Sequence, residues 1–336
     1  MNWSIIYSYQ VEHNDGYRTF AESLAQIELA EQRGFGTALV SEHHLVENGY
    51  FPAPFVTLSA IAMKIRKIRI GSGIIILPLY DPLHVAEHGA VLDVISDGRF
   101  TLGVGQGYRK QEFDAFQVPL PDRPGRMRES VEAIRALWTQ PTVNLQGMHF
   151  TYKDVMVRPQ PKQKPNPPIW VAAKKKSAVR LAAQVGDAWF ADPITSLKVL
   201  KERVVDYKAA LKESNKAGTE FSFPLMREVY CAETDDKAWE EAREPMLYVY
   251  REYLQWGHML DDDGNAVPPG DERALGLLRS RFIVGSPETC VKEFLKYQKE
   301  LGVTDFVMRM KFPGLPHERV LNSINLLADK VMPHVN

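Results

Sequence analysis

At 336 residues the chain has room for one barrel-sized unit or for two smaller domains. Its 41 Lys and Arg against 42 Asp and Glu leave no basic footprint for nucleic acid or an anionic membrane surface, and 45% hydrophobic with 25% charged residues excludes a disordered or fibrous chain. Cys231 and Cys290, far apart and outside any CxxC pattern, exclude a disulfide framework and a cysteine-rich zinc site.

Met1 to Gln10 has neither a basic start nor a long apolar run, and no later stretch reaches membrane-spanning length without a charge. A cytoplasmic protein is expected. Trp3 to Ser8 opens the chain as a short apolar strand, followed by Phe20, Leu24 and Ile27 at helical spacing. Thr19 and Glu22 offer this helix a capping box, and Gly34 a stop. Thr37 to Ser41 then precedes a helix near residues 53–65, and Ile68 to Leu77 one carrying His88, Val91, Leu92 and Ile95. Arg99 to Gly105 leads to the Met127, Val131, Ile134, Trp138 face, Ile169 to Ala173 to a short helix ending near Val185, and Ala188 to Ala191 to Leu197, Leu200, Val204 and Leu211.

Phe221 to Cys231 and Thr304 to Met310 add two strands, the last followed by Val320, Ile324, Leu327 and Val331. About eight strand–helix units is the arithmetic of a closed TIM barrel, here one domain over residues 1–336. Residues 142–168 read as an added hairpin. Residues 257–284, with Asp261-Asp262-Asp263-Gly264 and Pro268-Pro269-Gly270, read as a long loop after the seventh strand, either a lid over the barrel mouth or an inert insertion. Ser286-Pro287-Glu288 supplies an N-cap, a first-turn proline and an acidic residue for a helix reaching Gly302.

Glu42-His43-His44 falls at the C-terminal end of the second strand, where barrel side chains reach the mouth. Adjacent strand residues face opposite ways, so one histidine is structural and the other available for proton transfer. Neither this pair nor an HxxxH spacing supplies converging metal ligands, and no metal is expected. Gly103 to Gly107 ends the fourth strand, but Tyr108 stands where a dinucleotide fingerprint needs glycine. What remains is an exposed backbone suited to a flat ring or a phosphate, or a plain tight turn. Lys174-Lys175-Lys176-Ser177 opens a helix and combines N–H groups with ammonium groups, fit for a phosphomonoester or simply a solvated basic run. Arg227 and Arg309 lie within the seventh and eighth strands, where a guanidinium needs an anion or an internal carboxylate.

Several motifs in order carry a family resemblance: Ser41-Glu42-His43-His44, Gly71 to Pro78, Ser96 to Tyr108, Glu112-Phe-Asp-Ala-Phe116, Pro168 to Ala172, Val284 to Glu288, and Phe312 to His317. Together the chain resembles the bacterial luciferase-like flavin monooxygenases over nearly its whole length. The resemblance implies that His43 is the acid/base or peroxide-stabilising histidine at the flavin, with Glu42 beside it. It also implies a non-prolyl cis peptide at Gly73-Ile74 behind the ring. A phosphate site follows from Gly105, Gln106, Gly107 and Tyr108 with Ala173, Lys174, Lys175, Lys176 and Ser177. Luciferase has arginine where this chain has Gln106, and the lysines are the expected substitutes. The implied reaction uses reduced FMN from a partner reductase and molecular oxygen to oxygenate a small organic substrate, with Tyr9, Glu42, Arg227 and Arg309 as substrate contacts. Tyr7, Tyr9 and Phe51 suggest a mostly apolar substrate. The alternatives are an oxidoreductase of the same superfamily using a deazaflavin coenzyme, and a flavin-binding protein without turnover. A homodimer, through helices beside the second and third strands, is the family habit.

Overall fold

β1 (Asn2–Tyr7) is apolar on both faces and buried from Trp3 onward, as a parallel strand sheathed by helices must be. The computed structural model describes residues 1–11, 15–216, 221–257, 259–268, 271 and 273–335. From β1 the chain alternates: α1 (Gly16–Gln32), β2 (Thr37–Val40), α2 (Pro54–Lys64), β3 (Arg69–Ser72) with the short β4 (Ile75–Ile76), α3 (Pro82–Ile95), and β5 (Phe100–Gly105). Then come α4 (Lys110–Ala115), α5 (Arg123–Thr139), the antiparallel pair β6 (Val143–Gln146) and β7 (Thr151–Val155), β8 (Ile169–Ala172), α6 (Lys176–Val185), β9 (Ala188–Phe190) and α7 (Leu197–Glu213). The last part holds β10 (Pro224–Cys231), α8 (Asp235–Gln255), α9 (Arg273–Arg279), β11 (Ile283–Gly285), α10 (Pro287–Leu301), β12 (Asp305–Arg309) and α11 (His317–Leu326).

Parallel pairing runs β10-β12-β1-β2-β3-β5-β8-β9, and an Ala191–Leu225 bridge joins the ends. Ala191 N–H donates to Pro224 O at 3.0 Å and Met226 N–H to Ala191 O at 3.0 Å, so eight strands close into the expected TIM barrel. β11 pairs with the second half of β10 outside the ring. Inside, Ile6, Leu39, Phe190 and Val307 form a plug with Ile74, Trp170, Ala172 and Met226, while the larger cluster lies between strands and helices. Gly103 is where β5 passes β3: a Cβ there would stand 2.0 Å from Ser72 O.

Three local expectations change. Asp15, whose side chain accepts from Arg18 N–H, caps α1 in place of Thr19. Within residues 232–256, unassigned from the pattern, runs the long helix α8; Pro245 in its middle interrupts the signal, because proline argues for a break. Residues 257–284 are no bare loop, since among the described ones α9 and β11 form and Asp261 knots a tight turn by accepting from the N–H groups of Asp263 and Asn265. The hairpin within 142–168 forms as read, and Ser286 caps α10, which ends on left-handed Gly302.

Candidate active site

Just past β2 the backbone carries Ser41, Glu42, His43 and His44 to the barrel mouth, and alternation sorts them. Ser41 and His43 line a cavity of about 120 Å³, together with Tyr50, Gly73, Tyr108, Pro193, Ile194, Met226, Tyr250, Tyr253 and Arg309. Glu42 turns away: its carboxylate accepts from Ile76 N–H at 2.5 Å and from the Tyr80 hydroxyl, which holds β4 in place. His44 packs on Phe116, ring centroids 4.7 Å apart. Glu42 therefore acts on the scaffold, away from the expected substrate contact.

His43 is oriented by a residue the sequence reading quoted only within a motif. Glu112, on α4, has Oε1 2.8 Å from His43 Nδ1, and the same oxygen accepts from His44 N–H at 2.9 Å and from Arg109 at 3.1 Å. Burial alone would raise the Glu112 carboxyl, yet these hydrogen bonds and the adjacent charges outweigh it and hold the group below its ordinary value. An ionised Glu112 accepts a hydrogen bond from Nδ1–H of His43, which turns Nε2 toward the cavity. Tyr108 Oη lies 3.5 Å from that nitrogen.

A cover closes the mouth from α8. Trp256, one residue past the helix, has its ring centroid 5.3 Å from that of His43, and the Arg109 guanidinium stacks on it at 4.2 Å. Tyr250 and Tyr253 of α8 enter the cavity wall. These aromatics went unread because the helix that presents them was unread.

Arg309 is buried and paired with Glu228, Nε to Oε2 at 2.8 Å and Nη2 to Oε1 at 2.5 Å, and its Nη1 donates to Tyr253 Oη at 3.2 Å. Burial opposes its charge, but Glu228 and the neighbouring tyrosines more than offset this and raise its pKa. Arg227, one residue from Met226, points outward: it donates to the carbonyls of Asp192 and Thr195 at 2.9 and 3.1 Å and stacks on Tyr297. Tyr9 also faces outward, stacked on Phe51 at 4.5 Å. Neither Arg227 nor Tyr9 is among the residues that line this cavity.

The peptide between Gly73 and Ile74 is cis, and Gly73 lines the cavity. A Cβ on Gly73 would come 2.8 Å from Ile6 Cδ1, and one on Gly105 2.8 Å from Ile74 Cδ1, so close packing requires both glycines, and Gly73 presents only backbone to the cavity. Gln106, Gly107 and Tyr108 continue from β5 around the mouth, half-buried. Across β8, Ala173 is fixed by its carbonyl accepting from Trp189 Nε1 at 2.8 Å, and no side chain caps α6. The first-turn N–H groups of Lys176, Ser177 and Ala178 have no partner inside that helix. Lys174 is half-buried there, its pKa lowered by burial and partly restored by Asp192. Lys175 and Ser177 are exposed, and Lys176 turns to Asp206 at 2.9 Å. The bare backbone of Gly73 for a ring, plus an uncapped helix beside a half-buried ammonium for a phosphate, fits a flavin or deazaflavin nucleotide. Of the three lysines, Lys174 is the inward one.

Among the described residues no three His, Cys, Asp or Glu side chains converge on a metal position. His84 and His88 do stand four apart on α3, a spacing the sequence reading passed over, with ring centroids 6.2 Å apart. No helix among the described residues is long and apolar enough to cross a membrane.

Comparisons with known proteins agree with this fold. The structure of monooxygenase RslO1 from Streptomyces bottropensis is similar over the whole of both chains, with a TM-score of 0.88 and 26% identity. The oxygenase component of the flavin-dependent trigonelline monooxygenase of Acinetobacter baylyi is 25% identical over 94% of this chain and 89% of its own. The F420-dependent glucose-6-phosphate dehydrogenase of Amycolatopsis mediterranei is 25% identical over 95% and 97%. The family model for luciferase-like monooxygenases matches residues 1–305, and with the closed barrel and the histidine at its mouth the chain belongs to that family.

Proposed function

We propose that the protein is a two-component monooxygenase in which a partner reductase supplies reduced FMN and the cavity at His43 takes a small organic substrate. The observation that carries this reading is the His43–Glu112 pair opening onto a cavity walled by Gly73 and covered by Tyr253 and Trp256. In the bound state Gly73, Ile74 and Gly105 to Tyr108 would flank the ring, and Ala173, Lys174 and the first turn of α6 with Ser177 would hold the phosphate. Reduced FMN supplies two electrons to molecular oxygen, one atom of which goes to the substrate and the other to water.

His43 Nε2 moves the proton in this scheme, with Glu112 fixing its tautomer. Tyr253 and Trp256 exclude water over it, which limits loss of reducing equivalents to hydrogen peroxide. The exposed α2–α3 face supports a homodimer, the assembly in which we place this activity.

A second reading, hydride transfer with a deazaflavin, is supported by His43 at the cavity and by the half-buried Lys174 beside the start of α6. Titrating reduced FMN and the deazaflavin into purified protein separates the two: micromolar binding of FMN alone, with product dependent on oxygen, is the expected result. His43→Ala should keep FMN binding and lose product formation by about 100-fold or more. Undiminished turnover in that variant would remove His43 from the mechanism.

A further inference from the structure

From Ile70 to Gly98 the chain carries Asp81, Glu87, Asp93 and Asp97 and no Lys or Arg. Asp97 is paired with Lys162 and Asp93 is buried against Gln163, which leaves Asp81 and Glu87 as the charges on the outer face of α3. Between and beside them stand His84 and His88, at i and i+4, where helical side chains lie one above the other. Their rings are nearly parallel, 17° between planes with centroids 6.2 Å apart. Both are exposed, and among the described residues neither makes a hydrogen bond or an ion pair, whereas His43 is held by Glu112 and His317 by Gln26.

Two imidazoles one turn apart on a helix can meet one cation, as the histidines of helical zinc motifs do. Imidazole selects borderline transition cations, whereas magnesium and calcium want oxygen. The positive end of the α3 dipole opposes a cation near His84, but Asp81 at the N-cap, accepting from Leu83 N–H at 2.8 Å, and Glu87 offset it. Phe55 of α2 backs the His88 ring, centroids 5.2 Å apart. The order His84-Val-Ala-Glu87-His88 also matches the motif of one class of zinc peptidases, yet that chemistry needs a third protein ligand. Among the described residues no third His, Cys, Asp or Glu converges on the pair, so two positions of a tetrahedral shell stay open.

We infer that His84 and His88 chelate a borderline divalent cation of the zinc, nickel or copper class on the outer face of α3. None of these residues lines the cavity at His43, so the site is separate from the proposed chemistry. Its ridge runs on through Val91 and Ile95, both exposed, at i+7 and i+11 from His84, into the apolar face on which the homodimer is placed. The open positions are therefore filled by water or by the same pair from a second copy, and the two differ in stoichiometry.

The test titrates zinc chloride into the tag-free full chain, without flavin, by calorimetry. The native protein should show micromolar binding that a large excess of magnesium does not displace. His84→Ala and His88→Ala should each weaken it about tenfold or more, since either leaves a single imidazole. Both positions are exposed on a helix, where alanine is well tolerated, and the zinc-free melting temperatures should match the native one. Glu87→Gln should weaken binding by less, and His149→Ala, which changes a histidine on another element, should leave it unchanged. One zinc per chain on a monomer assigns the open positions to water; one per two chains, with a rise in the dimer by light scattering, assigns them to the second copy, and either supports the chelate. No micromolar site in the native protein, unchanged affinity in the His84 and His88 variants, or displacement by magnesium would overturn the inference.

Discussion

Asp305 opens β12 on the inward row of the barrel, with Ser4 Oγ 2.8 Å from its Oδ1. Burial raises its pKa to about 6, although the Ser4 hydroxyl and the chain's amino terminus pull the other way. In the unfolded chain the same group titrates near an ordinary carboxylate value of about 3.9. The folded state thus keeps the proton longer, and the stability this contributes is fully present below pH of about 4 and lost as pH rises through about 6. Two units correspond to about 3 kcal/mol at most. Asp305→Asn keeps an acceptor for Ser4 and removes the ionisation. Thermal melts should show the variant several degrees more stable than the native protein at pH 8 and no different at pH 4; an equal difference at both pH values would exclude ionisation of Asp305 as the cause.

At the scale of the element, α8 decides who reaches His43. Its last turns are tied down by Glu252, whose Oε2 accepts from Asn48 Nδ2 at 2.5 Å and from Gln10 Nε2 at 3.4 Å. Burial raises the Glu252 pKa, only partly countered by Asn48, Arg109 and Gln10. A raised pKa in the docked state means docking is firmest at low pH and loosens as pH rises and the carboxyl ionises. Asn48→Ala removes the closest donor and should speed hydrogen exchange of residues 248–257 about tenfold at neutral pH, whereas Glu252→Gln, a neutral isostere, should not. Equal exchange in native protein and Asn48→Ala would show that the Asn48 contact does not hold the cover.

On the scale of the whole molecule, α2 and α3 leave Val56, Met63, Val91, Val94 and Ile95 exposed on neighbouring helices. A homodimer that buries this face should become monomeric, by light scattering, in a Met63→Glu, Val91→Lys double variant; a native protein already monomeric at micromolar concentration would refute the proposal. The barrel was legible in the sequence because its strands are short β-branched runs spaced by helices, a pattern that packing reinforces. The placing of His43 and Gly73 at the barrel mouth was legible through motifs. Glu112, Arg109 and Trp256 were not assigned, because their roles come from α4 and α8 folding back over the end of β2, a long-range contact that no local period encodes. Glu42, Arg227 and Tyr9 were expected at the substrate, whereas strand alternation and the sign of φ at Tyr9 decide where each points.

The segment after β9 is held from behind by its main chain. Arg227 donates to the carbonyls of Asp192 and Thr195, and Arg281 to those of Ile194 and Leu260. The guanidiniums grip backbone oxygens that every amino acid carries, so the side chains at 193 and 194 are free to vary while the wall they form keeps its course. Selection for a different substrate has a place to act here at small cost to folding: new residues at Ile194 resize the cavity within a frame that two arginines keep in register.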